Sequence, residues 1–236
     1  MKIVSWNCNG AFRNKFSQIA DLKADIYIIQ ECEDPSRVIR KPEGYDSFTN
    51  GHLWIGDNKN KGLGVFVREE LAIQKNELDL FSHGMNLKWF LPFTIQNQQK
   101  MLAVWCHRGE IREYRYIGQF WCLLKKNKLS LHDTVIVGDF NSNSNWDYKR
   151  VECNHSNCVK ELQDIDIESI YHSTQGLEHG NELKYSFFMH KSEAKKYHID
   201  YFFVPKTLLN QTKEFKIEPF TKWSALSDHV PLVWEY

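Results

Sequence analysis

Residues 135–147 read VIVGDFNSNSNWD, in which three apolar residues run into a glycine and are followed by an aspartate, a phenylalanine and an asparagine. The apolar residues predict a buried strand, and Gly138 alone would serve a turn after it. The carboxylate of Asp139 and the amide of Asn141 therefore need another explanation. Side chains two residues apart on an extended chain project from the same face. We expect both groups to act at one point, provided that other segments supply partners for Asp139.

Other apolar runs also carry a polar side chain at an end or inside the run. The set comprises Asn7 after IVSW, Glu31 after IYIIQ, His107 after LAVWC, Asp200 within YHIDYFFV, and Asp228 with His229 at the start of SDHVPLVW. A parallel or mixed sheet brings strand ends to one rim, where binding sites form. We therefore expect these groups to converge on one pocket. Taken singly, each has a structural explanation; Asn7, for instance, could cap the turn at Asn9-Gly10.

Asp200 is the least easily explained of these residues, because its neighbours Ile199 and Tyr201 predict a buried strand. A buried carboxylate needs a partner, and a histidine or a metal is the natural one. His229 offers such an imidazole. A hydrogen bond from Asp200 to the backbone is the structural alternative.

Strand-like segments outnumber helical ones along the chain. Strands are predicted at 2–6, 25–29, in several pieces within 45–79, at 88–95 and 101–106 around a hairpin turn over 96–100, at 133–137, 184–189, 197–204, 213–219 and 231–235, and helices near 12–23, 112–126 and 156–165. This order disfavours a doubly wound parallel sheet and favours an α/β sandwich with mixed or antiparallel sheets and outer helices. The 236 residues, 42% of them hydrophobic, predict one domain over 1–236, with two small domains as the alternative.

Charge and cysteine content narrow the class further. Thirty basic and thirty acidic residues give zero formal net charge, which does not favour nucleic acid but allows a local phosphate-binding patch. The start MKIVSWNCNG has no apolar stretch of signal-peptide length, and no apolar run approaches the roughly 18 residues that span a bilayer. The six irregularly spaced cysteines predict reduced thiols in a cytoplasmic protein that needs no membrane. The stretch Cys153–Cys158, CNHSNC, could be half of a zinc site, but without a second cluster a structural role is favoured.

Five motifs between residues 5 and 231 resemble those of the endonuclease/exonuclease/phosphatase superfamily: WNCNG, QE, GDFN, HIDY and SDH, in the order in which that family carries them. The group includes exonuclease III, apurinic endonucleases, pancreatic-type deoxyribonuclease, neutral sphingomyelinases and inositol-polyphosphate 5-phosphatases. The resemblance implies a four-layer α/β sandwich, with two packed mixed β-sheets flanked by helices. It also implies hydrolysis of a phosphoester with a divalent metal, usually Mg²⁺ or else Mn²⁺.

The resemblance also implies roles for the polar residues. Glu31 would ligate the metal, with Asp228 and Asn7 nearby. Asp139 would orient or deprotonate the attacking water, and Asn141 would hold Asp139 or, like Asn7, a phosphate oxygen. His229, oriented by Asp200, would stabilise charge on the phosphorus centre, and His107 would lie near the phosphate. The residue types suit this chemistry, because Mg²⁺ prefers oxygen ligands and an imidazole paired with a carboxylate stays protonated.

The substrate is less well indicated than the superfamily. Apurinic endonucleases and exonuclease III carry a lysine shortly after the glutamate, where QECE has Cys32 and Glu33. We expect a nuclease that cleaves DNA, with Trp146, Tyr171, Phe220 and Trp223 as candidates for stacking on bases, and Arg108, Arg112 and Arg115 as a phosphate track. The two later arginines could instead be the solvated first turn of a helix, and Trp223 could equally be a packing residue. The alternatives are a phosphatase or phosphodiesterase for a small nucleotide, inositol or lipid headgroup, and a non-enzymatic binding module. The last is disfavoured because every motif residue is present.

Overall fold

The computed structural model describes residues 1–95, 99–148 and 150–236. Its strands are β1 Lys2–Asn7, β2 Ile26–Cys32, β3 His52–Asn58, β4 Lys61–Val67, β5 Ile73–Lys75, β6 Phe81–Ser82, β7 Met85–Asn86, β8 Phe90–Ile95, β9 Gln99–Trp105, β10 Thr134–Asp139, β11 Ile167–Ser169, β12 Phe187–Phe188, β13 Lys196–Tyr197, β14 Asp200–Pro205, β15 Glu214–Ile217 and β16 Leu232–Glu235. Its α-helices are α1 Phe16–Ala20, α2 Tyr45–Thr49, α3 Ile117–Asn127, α4 His155–Gln163, α5 Ile170–Gln175, α6 Lys206–Leu209 and α7 Phe220–Trp223.

Two six-stranded sheets contain most of these strands. The first has the order β15-β16-β1-β2-β4-β3, and the second has the order β11-β14-β10-β9-β8-β5. Within the first sheet β1 and β2 are parallel, and within the second β9 and β10 are parallel, while the other neighbours are antiparallel. Both sheets are therefore mixed, as the sequence predicts.

The sheets pack face to face, and helices cover their outer faces. Val135 and Val137 of β10 face the core between the sheets, where they join Ile28 of β2. The intervening Ile136 faces the other way, into a second core with Phe120 of α3 and residues of α4. This alternation follows from the period of two along a strand. The predicted four-layer α/β sandwich is confirmed.

Several element predictions differ from the structure. Tyr45–Thr49 forms a helix where strand was expected, and a helix of five residues is too short to show a helical period. The dipeptide Gly56-Asp57 is typical of a turn, but it lies inside β3, and the β3–β4 hairpin turns between Asn58 and Lys61 instead. The helix predicted from 112 begins at Ile117, because Tyr116 has φ 54 and interrupts it. β8 and β9 are antiparallel neighbours as expected, but residues 96–98 of the predicted turn lie outside the described residues.

The structure shows the state of the cysteines and the character of the helices. All six cysteines are free thiols, and five of them are buried. Within the described ranges, none of the helices combines the length and the apolar character that a membrane span requires.

Candidate active site

Strand direction brings polar residues from both sheets to one edge of the sandwich. β1 is parallel to β2 and β9 to β10, so the carboxyl ends of each pair lie together. β14 and β16 run antiparallel to β10 and β1, so their amino ends lie at that edge too. The residues that meet there are Asn7 at the end of β1, Glu31 near the end of β2, Asp139 at the end of β10, Asp200 at the start of β14, and Asp228 and His229 before β16.

Asp139 is fully buried at the end of β10, on the face that looks toward the other sheet. Its Oδ2 accepts a hydrogen bond from Asn7 Nδ2 at 2.9 Å, which crosses from one sheet to the other. Asn141 donates twice to the same carboxylate, from Nδ2 to Oδ2 at 2.9 Å and from its backbone N–H to Oδ1 at 2.8 Å. Asp139 is therefore held in one orientation by amide groups.

Asn141 reaches Asp139 by a route that the spacing did not predict. β10 ends at Asp139, so the extended period of two does not continue to Asn141. Asn141 has φ 46 instead, and its side chain turns back onto Asp139 and the carbonyl of Cys106. Asparagine tolerates this left-handed conformation better than most residues. Of the two roles implied for Asn141, the geometry supports holding Asp139.

Asp200 and His229 form a buried pair beside Asp139. Asp200 lies directly opposite Asp139 in the β10–β14 register, and His229 Nδ1 is 2.9 Å from Asp200 Oδ2. Ser186 Oγ accepts the backbone N–H of Asp200 at 3.1 Å, and the ring of Phe187 lies 4.6 Å from that of His229. The structure brings together the two residues that were predicted to pair.

Burial and mutual charge set the protonation of these groups. Burial, reinforced by the charge of Asp200, raises the pKa of Asp139 to about 7 against the opposing effects of His229 and Asn7. Burial lowers the pKa of His229, but the charge of Asp200 and its hydrogen bond outweigh this and raise that pKa to about 10. At neutral pH the imidazole is thus a cation, while Asp139 is poised to exchange a proton.

Glu31 reaches the site through an irregularity in β2. The register with β4 shifts between Gln30 and Cys32, and Glu31 between them has φ 63. Such strained conformations are uncommon outside glycine and concentrate at functional sites. The glutamate Oε1 lies 3.2 Å from Asn7 Nδ2, and Oε2 forms an ion pair with Lys61 at the start of β4. A lysine from the β3–β4 hairpin therefore lies beside Glu31.

Asp228 and His107 are the remaining site residues that the sequence predicts. Ser227 Oγ donates to the carbonyl of Asn7 at 2.8 Å and holds the half-buried Asp228 against the end of β1. His107 is also half-buried, with its ring 4.8 Å from that of Trp105. Partial burial lowers the pKa of His107, although the charge of Glu31 partly opposes this. His107 is therefore a neutral imidazole within electrostatic reach of Glu31.

The donor set fits a hard divalent cation. Glu31 and Asp228 supply carboxylate oxygens, and the ion pair with Lys61 places a positive charge at Glu31 already. Asn7 Oδ1 accepts the N–H of Asn9 at 3.0 Å, while its Nδ2 donates to the carboxylates of Glu31 and Asp139 and so bridges them. Asp139, Asp200 and His229 also bring three ligand atoms within 4.8 Å of one another, but His229 is already engaged with Asp200.

Of the aromatic candidates, only Trp146 is well exposed. Its ring lies 5.1 Å from that of Tyr197, which is 6.2 Å from Phe187 beside His229. The expectation that Trp223 and Tyr171 stack on bases is wrong, because both are buried: Trp223 packs 5.2 Å from Trp6, and the hydroxyl of Tyr171 accepts the N–H of Leu183 and of Lys184. Phe220 is half-buried and stacks on Phe188 at 4.1 Å.

The sequence reasoning missed several supporting residues. Lys61, Ser186, Phe187 and Tyr197 contact the site or one another there, but none lies in a motif, because the contacts depend on which hairpin lies beside which strand end. The CNHSNC stretch does not converge on one point: Cys153 Sγ points to the carbonyl of Glu113 at 3.3 Å, whereas His155 contacts His179.

Comparison with known proteins supports the family that the sequence motifs predict. A sequence profile described as the endonuclease/exonuclease/phosphatase family matches residues 4–229. No curated protein sequence matches the chain. Among solved structures, a 3'-5' exonuclease (NExo) from Neisseria meningitidis has a TM-score of 0.70 at 18% identity over 100% of this chain and 99% of that one. The same values hold for NExo described as a 3' phosphatase bound to product DNA hairpin. An AP endonuclease from Archaeoglobus fulgidus has a TM-score of 0.68 at 16% identity, covering 100% and 99%.

Proposed function

Since the chain belongs to the endonuclease/exonuclease/phosphatase family, we propose that it is a divalent-metal-dependent phosphodiesterase that cleaves DNA. One observation carries the proposal. Asp139, with its carboxylate fixed by Asn7 and Asn141, lies directly opposite Asp200 of the Asp200–His229 pair. A base and a fixed cation are thereby held at one edge of the sandwich, beside Glu31.

The residues divide the work of hydrolysis. Asp139 accepts a proton from water, since its pKa of about 7 matches a general base near neutrality. His229, kept protonated by Asp200, donates a hydrogen bond to a phosphoryl oxygen and offsets its charge. Asn7 and Asn141 keep the Asp139 carboxylate in the orientation that the water must meet. His107 lines the same edge as a neutral hydrogen-bonding group.

Glu31 and Asp228 would hold the divalent cation, for which Mg²⁺ or Mn²⁺ is the natural choice. When bound, such an ion supplies Lewis-acid activation and charge neutralisation at the phosphate. Glu31 would exchange Lys61 for the ion, and Lys61 would then be free to face the phosphate.

Three observations favour DNA over a small molecule. Solved structures of similar fold are described as an exonuclease, an AP endonuclease and a 3' phosphatase with a DNA hairpin. The rings of Phe187, Tyr197 and Trp146 lead from His229 to the surface, as stacking on a nucleotide requires. Arg108, Arg112 and Arg115 are exposed beyond His107, where they could contact phosphates. The zero net charge implies that such contacts are few.

A substrate panel tests the proposal. Purified protein is assayed with Mg²⁺ or Mn²⁺ on duplex, single-stranded and abasic DNA, RNA, free nucleotides and inositol phosphates. We expect DNA cleavage that chelation abolishes and that either ion restores. Cleavage of DNA no faster than by Asp139→Asn, with rapid turnover of nucleotides or headgroups, would establish the phosphatase alternative instead.

We also propose that residues 1–236 form one catalytic domain and that it works in the cytoplasm. The first is supported by the core between the sheets, to which Ile3 and Trp234 of the first sheet and Phe93 and Phe202 of the second all contribute. The second is supported by the six free thiols, which suit a reducing compartment. Limited proteolysis tests the single domain, because a two-domain chain would give two stable fragments.

A further inference from the structure

A second cluster of ionisable side chains lies on the opposite face of the second sheet from Asp139. His172 and Glu182 are buried and His179 is half-buried, and one nitrogen or oxygen atom of each lies within 4.8 Å of the others. The ring of His179 lies 5.8 Å from that of Tyr201, which belongs to the core between this sheet and its helices. None of these three residues takes part in the proposed phosphoester hydrolysis.

The carboxylate of Glu182 is satisfied on one oxygen. Oε1 accepts hydrogen bonds from Asn143 Nδ2 at 3.0 Å and from the N–H of Gly180 at 2.9 Å, and it lies 3.0 Å from His172 Nε2. Oε2 takes part in none of these three contacts. Glu182 therefore has an oxygen available for a ligand.

Each histidine is oriented by a hydrogen bond at its other nitrogen. His172 Nδ1 lies 2.8 Å from Ser169 Oγ, which can donate or accept, so Nε2 can present either a proton or a lone pair. His179 Nδ1 lies 3.0 Å from Nε2 of the buried His155, and the described residues show no further side-chain hydrogen bond of His179, which leaves its Nε2 for a ligand. The His172 and His179 rings are stacked 3.6 Å apart at 15°. Because a metal binds an imidazole nitrogen in the plane of its ring, one of the two rings must turn for both to hold the same ion. Such outer hydrogen bonds are the usual support of metal-bound histidines.

Access also suits a cation. A cavity of about 300 Å³ is lined by His172 and His179 and provides an entry path.

We propose that His172, His179 and Glu182 form a second metal site, specific for a transition-metal ion such as Zn²⁺. Two imidazoles and one carboxylate, with water as a fourth ligand, are a tetrahedral zinc donor set, whereas Mg²⁺ prefers oxygen alone. One nitrogen or oxygen atom from each of the three residues lies within 4.8 Å of the others, which is near enough for the side chains to close on one ion. The site is independent of the proposed hydrolysis.

The ion would act on the loop that follows the active-site strand. Glu182 holds Asn143, whose side chain also donates to the carbonyl of His198 at 3.1 Å and caps the turn Ser144–Trp146 through the N–H of Asn145. A metal on Glu182 would therefore fix the loop that carries Trp146. Its role is structural, since no ligand faces Asp139.

Zinc titration in excess Mg²⁺ tests the site, because Mg²⁺ competes for sites made of oxygen ligands and not for imidazole nitrogen. Metal-free protein is titrated with Zn²⁺ against a chromogenic chelator, and with Co²⁺ to record the visible absorption of tetrahedral cobalt. We expect one equivalent in the wild type, in Asp139→Asn and in His132→Ala, which removes an exposed histidine. His179→Asn and Glu182→Gln should each weaken zinc binding more than about 100-fold, and Ser169→Ala about 10-fold.

Far-UV circular dichroism confirms that each variant is folded before its affinity is compared. His172→Asn replaces any ligand variant that does not fold. The proposal is wrong if the wild type takes up no zinc in the presence of Mg²⁺, or if the folded ligand variants bind zinc as the wild type does. Zinc uptake lost in Asp139→Asn and kept in His179→Asn would place the ion at the catalytic edge and would equally overturn it.

Discussion

Asp139 combines two opposing requirements of a general base. Burial weakens its acidity, and the hydrogen bonds from Asn7 and Asn141 limit that effect while fixing the direction of the carboxylate. A freely rotating carboxylate would need ordering in the transition state, whereas this one is ordered beforehand.

The Asp139→Asn variant tests this role. We expect turnover to fall about a hundred- to ten-thousand-fold, because the amide keeps the shape but cannot take a proton. Steady-state rates on DNA with Mg²⁺ provide the measurement, and Asp133→Asn, on an exposed turn before β10, is the matched control. A rate within a few-fold of the control would assign water activation to another group.

Asp200 and His229 should behave as one unit. We expect Asp200→Asn and His229→Ala each to reduce turnover strongly, and the double variant to be little worse than either, because each removes the same buried ion pair. A double-mutant cycle on kcat measures the coupling. Effects that multiply would show that the two residues act separately.

The sequence predicted which residues form the candidate site better than it predicted the contacts that these residues make. Asn7, Glu31, Asp139, Asn141, Asp200, Asp228 and His229 were identified from their motifs, and the structure brings them to one edge. The ion pair of Glu31 with Lys61 was not foreseeable, because it depends on a hairpin 30 residues away. The burial of Trp223 and Tyr171 was likewise invisible, since an aromatic residue near a motif can pack inward or outward.

Among the elements, β10 depends on the glycine that precedes Asp139. Gly138 has φ 150 and lies within the strand, and a Cβ there would meet the carbonyl oxygen of Val104 on β9 at 1.8 Å. The glycine therefore serves the close approach of β9 and β10, and not a turn.

The Gly138→Ala variant should lose at least about 3 kcal/mol of unfolding free energy, because β9 and β10 must separate. Gly84→Ala is the control: Gly84 has φ 75 with nothing within 4 Å of the added Cβ, so about 1–2 kcal/mol of conformational strain is expected there. Urea unfolding measures both. Equal losses would mean that β9 and β10 tolerate the methyl group.

The β15–α7 connection contains a second structural carboxylate, Glu218. Burial would raise its pKa, but Lys216 at 2.6 Å and the indole N–H of Trp223 at 3.2 Å outweigh burial and hold it below the ordinary 4.5. A carboxyl with a depressed pKa stabilises the fold above its unfolded pKa, and this contribution disappears as the pH falls through the folded value.

Glu218→Gln should therefore cost about 1–2 kcal/mol at pH 7, and the difference from wild type should shrink below pH 4.5. Unfolding free energies at several pH values give the measurement, with the exposed Glu214→Gln as control. A difference that stays constant down to low pH would mean that shape, and not charge, is what Glu218 contributes.

Long elements were predicted well and short ones were not. The strands around residues 2–7, 26–32 and 134–139 and the helix at 155–163 lie close to their predicted positions, since each is long enough to show apolar periodicity. The helix at 117–127 matches its predicted end but not its predicted start. α2 and the 3-10 turn Phe12–Asn14 are held by tertiary contacts instead; Glu33, for example, accepts the N–H of Phe12 at 2.6 Å.

For the whole molecule, the zero net charge determines how strongly DNA binding should depend on salt. With equal numbers of acidic and basic residues, phosphate contacts must come from a local group such as Arg112 and Arg115. Each phosphate neutralised on duplex DNA adds about 0.9 to the log-log slope of affinity against salt.

We expect a shallow salt slope that decreases by about 1 in Arg112→Ala and again in Arg115→Ala. Fluorescence anisotropy with Asp139→Asn as background measures binding without cleavage. Arg68→Ala is the control, because Arg68 pairs with Asp25 at the opposite end of the first sheet. An unchanged slope in both arginine variants would exclude that surface from DNA contact.

The hydrogen bond from Asn7 to Asp139 joins one sheet to the other at the edge where chemistry is proposed. Each sheet could keep its own ladder if the two slid past one another by a small distance, and spectroscopic measures of secondary structure would not register the change. Catalysis would register it, because the groups from β1 and β2 would part from those on β10 and β14. The turnover rate therefore reports how well the two sheets are aligned. Substitutions at the interface between the sheets, even far from the site, should first be detected as a loss of activity.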